Sequence, residues 1–265
     1  MSETSARRFP SRLSNVSLAV SFATVALLPP GGPSRAWAAA PPPYHYDTKN
    51  CENSYYFVLT TADRARAEVP MRFGVVGEQL GLAVVGVLFT TCDIALNGGS
   101  FTRASWSDVG VVVIPPASLL DGASVTIPVY RAWNVSNLPS MVALNAQWGI
   151  ATGDADVDTV YAPGGVLATT IGFVESAYGT YGGEGFFEPI VHPGAPGVVS
   201  WWSDGSAGLV RFDQAYTNDT EQCGVGAVTG EGRFGALIGG SGIGFHGCVV
   251  FADLIGDATL VEAAP

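Results

Sequence analysis

Hydrophobic positions beyond Asn53 come in short runs divided by Gly, Pro, Asn and Asp, and Val, Ile, Phe, Tyr and Thr dominate the runs. β-Branched and aromatic side chains suit a pleated surface and the dividing residues suit turns, so this rhythm predicts strands. The clearest cover residues 55–61, 80–92, 109–114, 125–133, 166–175, 197–202, 209–212, 235–239 and 245–254. Residues 139–149 break the rhythm. Pro139 opens and Gly149 closes a segment in which Met141, Leu144 and Trp148 fall on one helical stripe. Pro at a helix start and Gly past its end predict one short helix there, packed on the sheet. With neither internal repeat nor linker, the expected fold is mainly β: a single-domain closed or partly closed antiparallel β-barrel with one short helix, over residues 54–265.

Residues 1–38 follow another pattern. Arg7, Arg8 and Arg12 precede an uncharged apolar run over residues 16–28, which ends at Pro29-Pro30-Gly31. That length falls within the about 7–15 residues of a secretory signal core and short of the about 20 that span a bilayer. Ala36-Trp37-Ala38 supplies the small residues of a cleavage site. Residues 1–38 therefore read as a cleaved signal peptide and residues 39–53 as an extended segment leading into the barrel. The mature protein is expected to be secreted or extracytoplasmic, without stable membrane insertion. Arg7-Arg8-Phe9 leaves the twin-arginine route open beside the general one.

Charge and cysteine usage fit that compartment. The chain has 12 Lys+Arg against 23 Asp+Glu, a net charge of −11, and four of the arginines lie in the leader. So few cations disfavour a phosphate backbone, and no nucleic-acid partner is expected. Cys51, Cys92, Cys223 and Cys248 form an even set, which in an exported chain points to two disulfides. Three pairings are possible, and loop length favours Cys51–Cys92 with Cys223–Cys248. His45, His192 and His246 are scattered and no C-x-x-C or H-x-x-x-H spacing occurs, so no metal or other cofactor is expected.

Two strands carry charge among apolar neighbours. Alternation places Leu167, Thr169, Ile171, Phe173 and Glu175 on one face, and Val125, Ile127, Val129, Arg131 and Trp133 on another. A buried charge needs a partner, so Glu175 and Arg131 either pair, face a cavity, or sit at strand ends. Tyr178 and Tyr181 fall in a glycine-rich aromatic stretch, residues 173–187, which reads either as a lid over a ring-shaped ligand or as a hairpin. His246 alternates with Cys248 and Val250, so it joins the candidate ligand contacts with no visible partner. The glycine cluster 239–244 has no Lys-Ser/Thr pair after it and reads as a hairpin turn rather than a phosphate loop. No Gly-x-Ser-x-Gly elbow is formed.

The order Ser105-Trp106-Ser107-Asp108-Val109-Gly110, then the strand at 125–133, then Asn137-Leu138-Pro139 with a short helix ending at Gly149, resembles the acetoacetate decarboxylase-like β-barrel superfamily over about residues 70–175. The resemblance implies a curved sheet around an apolar cavity, with a carboxylate on the 105–114 strand for which Asp108 is the counterpart. It also implies a Schiff-base lysine just after the helix. Residues 149–158 (GIATGDADVD) hold none, and the single lysine, Lys49, lies beside Cys51. Imine catalysis needs a desolvated lysine, so decarboxylation by that route is not expected.

The first expectation is thus an exported barrel that binds a small, largely apolar or cyclic molecule, with Arg131, Trp133, Phe173, Glu175, Tyr178, Tyr181 and His246 as candidate contacts. The second is a lysine-independent lyase or isomerase acting on a small carbonyl or cyclic compound, with Glu175 or Asp108 as base and Arg131 steadying a carbonyl oxygen. The third is a carbohydrate-contacting surface built on Trp201-Trp202. Oligomeric state is not legible.

Overall fold

The computed structural model describes residues 41–119, 127–162, 168–187, 192–193 and 196–263, so the candidate leader lies outside the described residues. The strands are β1 (His45–Thr61), β2 (Gly74–Val75), β3 (Leu82–Leu96), β4 (Thr102–Ile114), β5 (Ile127–Ser136), β6 (Thr152–Ala162), β7 (Ala168–Ser176), β8 (Gly179–Phe187), β9 (His192–Pro193), β10 (Gly197–Gly205), β11 (Gly208–Gly230) and β12 (Ser241–Ala263). Among the described residues three α-helices accompany them: α1 (Ala62–Arg66), α2 (Pro139–Gln147) and α3 (Gly232–Ile238).

All twelve strands belong to one sheet, which closes on itself twice. β11, β12, β1, β3, β4 and β5 are hydrogen-bonded in that order, and two routes lead from β5 back to β11. The first is β10 alone, which pairs with the start of β5 through Val199↔Ile127 and with the start of β11 through Trp201↔Phe212. The second runs through β6, β7 and β8, and meets the end of β5 at Asn134↔Thr152 and the end of β11 at Gly224↔Phe187. The result is a seven-stranded ring and a nine-stranded ring sharing six strands. Pairing in both rings is antiparallel except that β5 runs parallel to β6 and to β10. Closure leaves few free edges, which suits long, largely buried strands.

Local sequence explains most element ends. α2 starts with Pro139 at its first turn, as predicted. Both disulfides join neighbouring strands in the predicted pairing, Cys51–Cys92 across β1 and β3 and Cys223–Cys248 at directly opposed positions of β11 and β12. Residues 45–53 of the extended segment are the first part of β1.

Several expectations are corrected. Residues 235–239 are not a strand: α3 covers 235–238 and Gly239 caps it in the left-handed region at φ 84°. Gly239 and Gly240 are therefore a helix stop ahead of β12 rather than a hairpin turn. Residues 173–187 form the β7–β8 hairpin, not a lid; it turns at Gly179 (φ 117°), where the Ser176 hydroxyl donates to the Gly179 carbonyl at 3.2 Å.

The strand faces also differ from simple alternation. On β7 the inward residue is Val174, while Phe173 is 45% exposed and Glu175 is exposed. On β5 the register jumps from Val109↔Trp133 to Gly110↔Arg131, leaving Ala132 as an extra residue. Such a bulge reverses alternation beyond it. Arg131 consequently packs with Trp201 and Phe212, and Trp133 with Tyr181 and Phe234, in two different core clusters.

Candidate ligand cavity

Three positions in register prepare the interior of the seven-stranded ring: Tyr55 of β1 opposes Leu88 of β3, which opposes Asp108 of β4. Side chains of directly paired residues share a face, so this row points one way. Across from it, Phe212, Gln214 and Tyr216 alternate inward from β11, and Val199 and Trp201 do so from β10. Between these walls lies a cavity of about 240 Å³, lined by Asn53, Tyr55, Phe57, Leu88, Val129, Val199, Trp201, Gln214, Tyr216, Glu221 and Leu254, among others. Its rim includes exposed Pro196 and half-buried Phe57 and Ile127. The lining is aromatic and aliphatic with a few polar groups, the usual character of a small-molecule site.

Behind the inner wall sits a buried ionic cluster. Asp108 (1% exposed) and Arg131 (6% exposed) approach to 3.0 Å between Oδ1 and Nε. Asn134 Nδ2 donates to the same Asp108 oxygen at 2.9 Å, and Asn145 Nδ2 of α2 donates to Asn134 Oδ1 at 2.7 Å. The guanidinium lies 5.1 Å from the ring centres of both Trp201 and Phe212, a cation–π arrangement that desolvation strengthens. Burial pushes the Asp108 carboxyl above its ordinary range, while Arg131 and the Asn134 amide pull it back. Tyr44 and Tyr46, buried against the same cluster, are held well above the ordinary phenol range by desolvation, so both keep their protons. An ion pair this dry holds the wall in one arrangement; removing one partner would strand the other charge.

The predicted contacts separate accordingly. Asp108 and Arg131 come together, and Trp201 stands between Arg131 and the cavity. Trp133, Tyr178 and Tyr181 also come together, but in the packed end of the nine-stranded ring. Trp133 stacks on Tyr178 at 5.4 Å, Tyr181 on Phe234 at 4.4 Å, and Arg233 covers Trp133 at 5.1 Å. Neither they nor Phe173 and Glu175 line the cavity. His246 is on β12 opposite Phe57, and its side chain lies outside the described residues. Trp201 and Trp202 are both buried, so the flat exposed tryptophan pair expected of a carbohydrate surface is not formed. Sequence reasoning missed Gln214, because the strand was ended at Phe212; the alternation Phe212, Gln214, Tyr216 carried the signal.

Arranged this way, the chain can be set beside proteins of known structure. No protein-family model and no curated protein matches it. The solved structure of the enduracididine biosynthesis enzyme MppR with the condensation product of pyruvate and imidazole 4-carboxaldehyde superposes with a TM-score of 0.61 at 11% identity, over 86% of this chain and 92% of that one. Acetoacetate decarboxylase from Legionella pneumophila follows at 0.56 and 15%, over 90% and 98%. An acetoacetate decarboxylase-like enzyme from Sphingomonas wittichii gives 0.53 and 12%, over 89% and 96%.

The fold is that of acetoacetate decarboxylase. At these identities the likeness is one of fold, and the chemistry has to be read from this chain's own residues. The segment after α2, which opens β6, carries no lysine. Lys49 is exposed, with its Nζ 4.0 Å from the centre of the Phe101 ring. The cavity of this chain is therefore lined without a lysine.

Proposed function

We propose that this protein is an exported binding protein that takes one small, largely apolar or cyclic molecule into the hollow of its seven-stranded ring. The observation that carries the reading is the 240 Å³ cavity, apolar in most of its lining and free of lysine. A cavity of about 150 Å³ takes benzene, so this one has room for one or two rings. MppR, which shares the fold, was solved with a small cyclic condensation product. Binding is preferred to the lyase or isomerase reading because Glu175 is exposed and Asp108 is committed to Arg131 and Asn134.

Export is supported by the leader's pattern and agrees with two disulfides; among the described residues, no helix is long and apolar enough to cross a membrane. Native mass spectrometry of the protein purified without detergent from the extracytoplasmic fraction tests both parts. The expected result is a chain beginning near Ala39 that carries a single small adduct lost on collisional activation. A protein confined to the cytoplasm ends the export reading, and an adduct-free protein that also takes up no aromatic compound ends the binding reading.

A further inference from the structure

A carboxylate stands in the cavity's aromatic wall. Gln214 and Tyr216 alternate inward on β11, and plain alternation would turn Glu221 away from them. The register of β11 against β12 shifts between Asn218 and Thr220, and beyond such a bulge the two faces exchange. Glu221 therefore joins Tyr216 on the inner face, opposite Val250 of β12, which in turn pairs with Asn53 of β1. Half-buried rather than sealed, Glu221 lines the cavity together with Tyr55, Phe57, Trp201 and Tyr216. Its charge reaches two of those rings: burial, and after it the Glu221 carboxylate, holds the Tyr55 and Tyr216 hydroxyls above the ordinary phenol range. Among the described residues that line the cavity none is Lys, Arg or His, and Arg131 behind Trp201 is paired with Asp108. Aromatic faces carry partial negative charge, so these rings and a carboxylate make a concave wall that attracts a positive guest and repels an anion.

From this we infer that the guest is an organic cation, an amine or quaternary ammonium on an apolar or ring-shaped body, and that Glu221 with the Tyr55 and Tyr216 rings receives its charge. The aliphatic lining, Leu88, Val129, Val199 and Leu254, takes the apolar body. The inference rests on the cavity being the binding site and goes further by naming the charge of the ligand and the residues that select it.

Phenyltrimethylammonium and tert-butylbenzene form a suitable pair, equal in shape and differing in the charge. Both are titrated calorimetrically, at low ionic strength, into the wild type and into Glu221→Gln. The ratio of the tert-butylbenzene Kd to the phenyltrimethylammonium Kd should fall about five-fold from wild type to variant, the upper range for a partly exposed charge pair. A variant that merely distorts the cavity weakens both compounds and leaves the ratio where it was. Tyr216→Leu, which removes one ring face, should lower the ratio about two-fold. Raising sodium chloride from about 20 to 500 mM should weaken only the ammonium compound in the wild type, which provides the reading if neither variant folds. A ratio unchanged in folded Glu221→Gln, or ammonium binding indifferent to salt, overturns the cation assignment. So does a wild type that takes tert-butylbenzene and refuses the ammonium, and in each of these cases the cavity reading stands. Failure of both compounds to bind the wild type overturns both.

Discussion

In the nine-stranded ring, aromatic side chains lie directly on glycines. A methyl group on Gly226 would stand 2.6 Å from the Tyr56 ring, and one on Gly172 would stand 2.6 Å from Phe89. The glycines let the rings reach the opposite wall, and Trp133, Tyr178, Tyr181 and Phe234 close the end. In the seven-stranded ring the same six shared strands present Tyr55, Leu88, Val129 and Gln214, which do not meet across the middle, and a hollow remains. One sheet therefore builds a solid interior and an open one, and the choice is made by side-chain size opposite glycine rather than by strand number. Among the described residues, the ion pair with both partners buried, Asp108–Arg131, stands at the open ring and fixes its wall where packing does not.

The sharpest way to break this contrast is to remove that pair. Asp108→Asn should destabilise the protein by about 3–5 kcal/mol in urea denaturation, because Arg131 is left buried and uncompensated. The double change Asp108→Leu with Arg131→Met should recover most of the loss, since apolar replacements of buried pairs are often neutral. A single change costing no more than a surface substitution would show that the wall does not depend on the pair.

Next come two enlargements read against each other. Gly226→Ala in the solid ring should cost about 1–3 kcal/mol by overpacking Tyr56. Leu88→Phe in the open ring adds more atoms and should cost less than about 1 kcal/mol, because the hollow receives them. Equal losses in thermal unfolding would mean that the two interiors are equally filled.

The smallest expected effect lies on the shared strands. His45 on β1 meets Asp257 of β12 at 2.7 Å and Asp47 at 3.2 Å, and both carboxylates hold its imidazole pKa above the ordinary 6.5. A raised folded-state pKa gives stability that is complete below the unfolded value and is lost as pH climbs through the folded one. The ring is partly exposed, so the loss should stay within about 1 kcal/mol. Comparing the stability of wild type and His45→Gln between pH 5 and 8 checks the sign: the gap should close as pH rises.

How much of this could be read beforehand follows from the same physics. The barrel, the helix at Pro139 and the disulfide pairing were legible because they depend on period, turn residues and spacing. The ion pair was half legible: Arg131 demanded a partner, and Asp108 was singled out, but only on resemblance. Glu175 was misplaced because alternation gives a face's members, not which face is inward, and Val174 took the interior of β7. The Ala132 bulge, which divides Arg131 from Trp133, leaves no mark in the sequence. α3 was missed because a short apolar run with glycine suits a strand as well as a seven-residue helix.

The central claim, a hollow in the seven-stranded ring that admits a small apolar guest, is tested most directly by calorimetric titration of naphthalene into the wild type and into Leu88→Trp, whose indole would fill the space. The account predicts one naphthalene per chain in the wild type and none in the folded variant. Equal uptake by both proteins, or no uptake by the wild type, would contradict it.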